Sequence, residues 1–317
     1  MDYLHDISIR EMKTGMAVEG FFILKEASPR TTNAGKPYLA GKLGDRDGMI
    51  DFVNWDYAGT VDAGDAGHVV KVRGEVTDYR GSPQLAVTRI RLAKNADGWK
   101  LEDLVPTAPI DREAAMAQIR RMAESIEDEE YRKIALAMLE ERGEAFSLIP
   151  AAKSVHHGFV SGLLMHTFNM LKAAEFFASV YPETVDRSLL LAGTLLHDFA
   201  KTEEFAFSEL GLVTEYTPRG KLLGHLVMGA DNVRRKAGEL GLSEEKTMLL
   251  CHMVLSHHGE PEFGAAVLPR CAEAELLYHI DLIDSRMEIY RESLEGVAPG
   301  TFSGKIFALD KDIYKRG

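Results

Sequence analysis

Leu195-Leu196-His197-Asp198-Phe199-Ala200-Lys201 is the stretch on which the fold of this chain turns. It has the apolar content of a buried helix, yet an adjacent His and Asp interrupt it. Such groups are costly to bury unless something pairs with them. Working outward, the same anomaly repeats: His166 stands on an apolar helix upstream, and His225, the pair His257-His258 and Asp281 follow downstream. The region from about 154 to 284 reads as a helical domain whose polar exceptions are histidines and aspartates. Seven such groups on separate helical segments most simply share a metal centre. The gaps are 31 residues from His166 to His197, 28 to His225, 32 to His257, and 23 from His258 to Asp281. They suit ligands on successive antiparallel helices facing one point. Side chains at 197 and 198 lie about 100° apart on a helix, so Asp198 can bridge two ions while His197 binds one.

Imidazole and carboxylate donors without thiolate suit manganese, iron or zinc. Two divalent ions about 4 Å apart would activate a water and clamp the phosphoryl oxygens of a phosphoester. A helix over 187–201 puts Lys201 one turn after His197, on the same face. There it can neutralise charge on phosphate oxygens, and it joins Asp198 as a candidate catalytic residue; the plainer role is a cation at a helix end. His252 and His279 read as structural. Asp284, three residues after Asp281, can ligate, orient a ligand or pair with Arg286. His156 and His157 precede the helix of His166, and His157 is a candidate substrate contact beside a capping or packing role.

Upstream the pattern changes to short strands at 17–25, 37–43, 49–55, 68–76 and 84–92, with a hairpin turn at Gly44-Asp-Arg-Asp-Gly48. Five short strands in fewer than about 100 residues suit an OB-fold barrel. In such a barrel exposed aromatics stack bases, which makes Tyr38 and Trp55 candidate substrate contacts, although alternate aromatics also fill the interior. One of Phe21 and Phe22 must do so. Lys36, Lys42, Lys71, Arg73 and Arg80 are the phosphate candidates. A linker with Pro106 and Pro109 follows, then helical spacing from Asp111 to about Arg142. The expected architecture is multi-domain α+β: a five-stranded OB-like β-barrel over 1–95, a linker and helical connector over 96–150, and an all-α domain over 151–317.

The 317 residues carry a net charge of −12, which argues against a protein that coats duplex nucleic acid by bulk electrostatics. Residues 1–95 are charge-neutral, so the acidic excess lies in 96–317, where bound divalent cations would offset part of it. The two cysteines, Cys251 and Cys271, form no Cys-x-x-Cys pair, and neither a disulfide framework nor a cysteine zinc site is indicated. With no long apolar run at the N-terminus, the expectation is a cytoplasmic protein without a membrane role.

The order His…His-Asp…His…His-His…Asp resembles that of the HD phosphohydrolase superfamily. With an OB-like barrel ahead of it, the whole chain resembles the YhaM family of 3'-to-5' exoribonucleases. The resemblance is carried by Gly35-Lys-Pro-Tyr-Leu39, the hairpin from Asp45 to Trp55, and Pro150-Ala-Ala-Lys-Ser-Val-His-His157. It continues through Gly162-Leu-Leu-Met-His-Thr167, Leu196-His-Asp-Phe-Ala-Lys201, Gly220-Lys-Leu-Leu-Gly-His225 and Ser256-His-His-Gly259. One departure is Ser161, where the family pattern has a second Gly. The resemblance implies a divalent-metal nuclease, usually Mn2+-dependent, acting from the 3' end on single-stranded RNA and sometimes on DNA. Fe2+ and Zn2+ stand as alternatives, and homo-oligomer formation stays open. Two other readings compete: an HD hydrolase of a small nucleotide, cyclic nucleotide or dNTP with a regulatory barrel, and a non-catalytic RNA-binding module, which missing ligands would favour.

Overall fold

The computed structural model describes residues 3–151, 159–207 and 213–317, so His156 and His157 lie outside the described residues. The chain forms two compact units that divide between Thr107 and Ala108.

In the first unit a short β1 (Leu4–His5) runs parallel to β2 (Ala17–Thr31). The barrel continues with β3 (Pro37–Gly44), β4 (Met49–Trp55), β5 (Val69–Tyr79) and β6 (Ser82–Leu92). Strand order is β1-β2-β3-β4-β6-β5, and β5 returns to β2 to close a five-stranded barrel. This is the OB-fold arrangement. The first half of β2 pairs with β5 and the second half with β3, a division made at the register shift between Leu24 and Glu26. A bulge of this kind bends a strand enough to serve two neighbours. Beyond Lys25, where the apolar pattern stops, β2 continues to Thr31 because Glu26–Thr31 still pairs with β3. The β5–β6 turn is Arg80-Gly81 with φ of 55° and 84°, the positive pair that a two-residue hairpin favours. Phe22 is the aromatic that enters the core, with Leu39, Leu43, Phe52, Val72 and Leu85, while Lys71 lies over the ring of Phe21.

A short α1 (Leu101–Leu104) ends the first unit. The second holds α2 (Arg112–Glu124), α3 (Glu129–Leu148), α4 (Gly162–Val180), α5 (Arg187–Leu196) and α6 (Lys201–Glu204). A hairpin of β7 (Phe205–Phe207) and β8 (Val213–Tyr216) precedes α7 (Pro218–Leu240), α8 (Glu244–Ser256) and α9 (Ala272–Leu294). The segment 96–150, expected as a connector, is divided between the units. Ile119, Ile126, Ile134 and Phe146 are fully buried in the same core as α4, α5, α8 and α9. The helical spacing from 111 to 142 is also two helices rather than one. Asp128 caps the second by accepting from Glu130 and Tyr131 N–H, and Ile126 fills the corner.

Barrel closure has a sensitive point at Gly41. A Cβ there would sit 1.9 Å from the Glu26 carbonyl oxygen, a backbone atom that cannot swing aside. Gly41→Ala is expected to cost about 3 kcal/mol by forcing the strands apart. The check is the denaturant midpoint, and an unchanged midpoint would show that β2 and β3 separate there freely.

Candidate metal centre

Breaks in helices put the polar groups in place. Almost every residue of α5 is buried, and its start is fixed by Asp186, whose side chain accepts from Ser188 and Leu189 N–H. The helix expected to reach 201 stops at Leu196. Residues 197–200 make tight turns, with Phe199 N–H on the Leu196 carbonyl and Lys201 N–H on that of Asp198. Lys201 therefore does not extend one turn beyond His197; its Nζ donates to Asp198 Oδ2 at 2.6 Å. In α7, Gly224 has φ 69° and ψ 162°, a break that frees His225 N–H. The Glu204 carboxylate accepts that N–H at 3.1 Å. Helix α8 ends at Ser256, so His257 and His258 fall in the turn before Gly259 (φ 76°). Ser243 stands at its N-cap position as the sequence suggests, but its side chain makes no capping bond.

Asp198, 3% exposed, is the hub. Its Oδ1 faces His225 Nε2 at 3.3 Å and His257 Nε2 at 3.6 Å. Its Oδ2 faces His197 Nε2 at 3.4 Å and His166 Nε2 at 3.9 Å. Asp281 Oδ1 lies 3.4 Å from His166 Nε2. Among the described residues, the buried side-chain atoms lacking a hydrogen bond are Nε2 of His197, His225 and His257, Nδ1 of His258, Oδ1 of Asp198 and two threonine hydroxyls, Thr167 and Thr194. Five of these seven thus belong to one cluster. Three overlapping sets place one donor atom per residue within 4.8 Å of each other: His225, His257 and His258; His166, His197 and Asp198; His197, His257 and Asp281. Convergent unpaired donors in a buried site fit divalent metal ions.

An outer layer orients the rings. His197 Nδ1 lies 2.7 Å from the Thr194 carbonyl and His257 Nδ1 2.8 Å from that of Val254. His166 Nδ1 is 2.7 Å from Asp284 Oδ2, and His225 Nδ1 is 3.2 Å from Glu204 Oε1. In each case the outer partner turns Nε2 inward, as outer carboxylates and carbonyls do around metal-bound histidines. His258 is the exception, its Nδ1 being buried without a hydrogen bond. Asp284 accordingly orients His166, one of the roles open to it in the sequence. Glu204 was not foreseen, because nothing in Lys201-Thr-Glu-Glu204 separates it from Glu203. His252, half-buried rather than in the core, accepts from Arg270 N–H at 2.9 Å, and exposed His279 pairs with Glu275.

Burial works against an ionised Asp198, yet the Lys201 charge and the neighbouring His197 and His257 hold its carboxyl well below the usual range. Burial likewise opposes the charged form of Lys201, and Asp198 outweighs it, so Lys201 stays protonated. Burial would lower the His166 pKa, but Asp281 and Asp284 raise it to about 10. His258 falls to about 3, chiefly through burial, with the neighbouring His257 adding to the drop. A cavity of about 290 Å³ opens on this cluster, lined by His166, Asp198, Lys201, His257, His258 and Asp281 on its polar side.

A family model described as HD domain matches residues 163–286, the span that carries all seven polar groups. A protein described as 3'-5' exoribonuclease YhaM from Shouchella clausii is 35% identical over 309 residues, covering 97% of this chain and 96% of its own. Another of that description from Oceanobacillus iheyensis is 36% identical, covering 96% and 97%. The chain belongs to the YhaM family of 3'-5' exoribonucleases. The second OB-fold domain of replication protein A from Methanococcus maripaludis aligns with 29% of this chain and 97% of its own, at 16% identity and a TM-score of 0.23.

The departure from the YhaM pattern at Ser161 falls on a residue with φ 62° and ψ 17°, the left-handed region where glycine is free of strain. On the barrel, Tyr38 and Trp55 are register partners with ring centroids 4.9 Å apart, and Trp55 is 58% exposed. A cavity of about 560 Å³ beside Trp55 is lined by Tyr57, Lys71, Arg73, Arg89 and Arg91. Lys71 and Arg73 both pair with Glu19, and Arg91 grips Asp97 at 2.7 and 2.8 Å. Lys36 pairs with Asp56, Lys42 with Asp51, and Arg80 lies over Tyr79. Arg89 and Arg91 were not among the sequence candidates; their alternation on β6 was the available signal. No described helix is long and apolar enough to cross a membrane.

Glu204→Gln is expected to lower the affinity of the cluster for divalent ions by about 10–100-fold. Calorimetric titration of metal-stripped protein measures this, and unchanged affinity would leave Glu204 as a backbone cap only.

Proposed function

We propose that this metal-dependent 3'-5' exoribonuclease hydrolyses single-stranded RNA, and single-stranded DNA as well, at a centre of two divalent ions. The observation that carries the reading is the division of the Asp198 carboxylate. One oxygen faces His166 and His197, the other faces His225 and His257. His166, His197 and Asp281 would complete one ion site, and His225, His257 and His258 the other, with Asp198 bridging. Mn2+ is the expected ion and Fe2+ or Zn2+ the alternative, since the donors are imidazoles and carboxylates without thiolate. Bound there, the ions would supply an activated water and neutralise charge on the phosphate.

The chain's own groups set the conditions for that chemistry. Asp198 is kept ionised, and Lys201 places a fixed positive charge on the cavity wall where a phosphate oxygen docks. His257 and His258 are held neutral by burial, the state in which imidazole ligates. Tyr38 and Trp55 offer stacking surface on the barrel, and the arginines beside Trp55 offer charge for the backbone of a strand. Attack from the 3' end rests on the family.

Asp198→Asn is expected to lower activity on single-stranded RNA by more than about 100-fold, beyond what an outer-layer change costs, with the fold retained by circular dichroism. A folded, fully active variant would remove the two-ion reading. Trp55→Ala or Tyr38→Ala should weaken RNA binding by about 1–3 kcal/mol while hydrolysis of a small phosphodiester is kept. Equal loss on both substrates would deny the barrel a role in holding RNA. On 5'-labelled RNA the products should form a ladder shortening from the 3' end; equally fast cutting of circular RNA would make the enzyme an endonuclease.

A further inference from the structure

The cavity at the metal cluster has two unlike kinds of lining. Besides the histidines and aspartates it is lined by Phe263, Tyr278 and Leu282. Neither aromatic has been given a role so far, and both are tied to the turn that carries His258. Gly259, directly after His258, lies so close to the Tyr278 ring that a Cβ there would sit 2.3 Å from it. Tyr278 is also three residues before Asp281 on α9, so its ring and that carboxylate share a helix face. Phe263 ends the 3-10 turn Pro261–Phe263, and the next residue, Gly264, packs against His258, with its notional Cβ 3.4 Å from Nδ1. Phe263 is nevertheless 65% exposed. A large ring is thus left accessible to a guest at a cavity whose lining includes a cluster histidine.

The volume fits a small guest. At about 290 Å³ the cavity is at the lower end of ligand pockets, which run from about 300 to 1,000 Å³. That is room for one nucleotide and not for a helix end. A nucleotide carries both characters found in the lining, an anionic phosphate and a flat apolar base. Stacking on aromatic rings is sequence-tolerant because every base presents a π-face.

We propose that Phe263 and Tyr278 form a stacking subsite for the 3'-terminal nucleobase, beside the metal cluster and distinct from the aromatics of the barrel. The proposal rests on the exonuclease reading for its substrate, and its test has two arms that fail separately. In the binding arm, Mn2+-loaded protein is titrated with adenosine 5'-monophosphate and with ribose 5-phosphate, which lacks the base. Wild type should bind the nucleotide about 5- to 100-fold more tightly. Phe263→Ala and Tyr278→Leu should each shrink that preference while keeping the ribose 5-phosphate affinity and the metal content. Tyr278→Phe, which retains the ring, should restore it. In the turnover arm, 5'-labelled RNA with an intact or abasic 3' residue is digested. Wild type should lose a similar factor on the abasic end, and Phe263→Ala should lose nothing further there, since the two changes remove one interaction. Variants that bind both probes equally less well, or that keep the full base preference, would overturn the subsite. A base preference that depends on the rings, without shortening from the 3' end, would uphold the subsite and overturn the exonuclease reading.

Discussion

The ionised carboxylate of Asp198 is the constraint around which the helical unit is built. At 3% exposure it has lost nearly all contact with water, and a carboxylate in that position is tolerated only when opposite charge and donors surround it. Lys201 supplies one contact, and four histidines present Nε2 toward its two oxygens. Each histidine arrives there through an interruption or an anchored helix. The helix ending at Leu196 turns His197 and Asp198 into the cluster. The break at Gly224 aims His225, and the end of α8 at Ser256 releases His257 and His258.

The outer carboxylates extend the same logic. Glu204 accepts both the N–H and the ring of His225, so one acid ends a helix break and fixes an imidazole. Asp284 holds the ring of His166. Charge in this unit is arranged in shells, negative at Asp198 and Asp281, histidine around them, and negative again outside. The acidic balance of residues 96–317 fits a site completed by cations. The barrel is organised differently. Its basic residues are largely paired with Glu19, Asp51, Asp56 and Asp97, so the groove beside Trp55 offers ion pairs that a phosphate backbone would have to reopen.

Much of this was legible in the sequence. The seven donors of the cluster stand out because polar groups in apolar helices need partners, and the structure brings all seven together. The five barrel strands were visible through alternation and turn residues, down to Met49–Trp55. What was not legible depends on backbone geometry or on contacts far apart in sequence. The stop of α5 at Leu196 leaves no mark, because Phe199 and Ala200 continue an apolar run. The corner at Asp128 is masked by helix formers on both sides. Glu204 gains its role from a glycine twenty residues later. Phe263 and Tyr278 lie fifteen residues apart and carry no mark in the sequence; only the cavity joins them.

Asp198 is proposed to bridge two ions. Anomalous scattering from crystals grown with Mn2+ measures it most directly. Two peaks about 3.5–4 Å apart are expected, one beside His166, His197 and Asp281, the other beside His225, His257 and His258, with an oxygen of Asp198 on each. A single peak, or peaks that leave Asp198 uncoordinated, would contradict it.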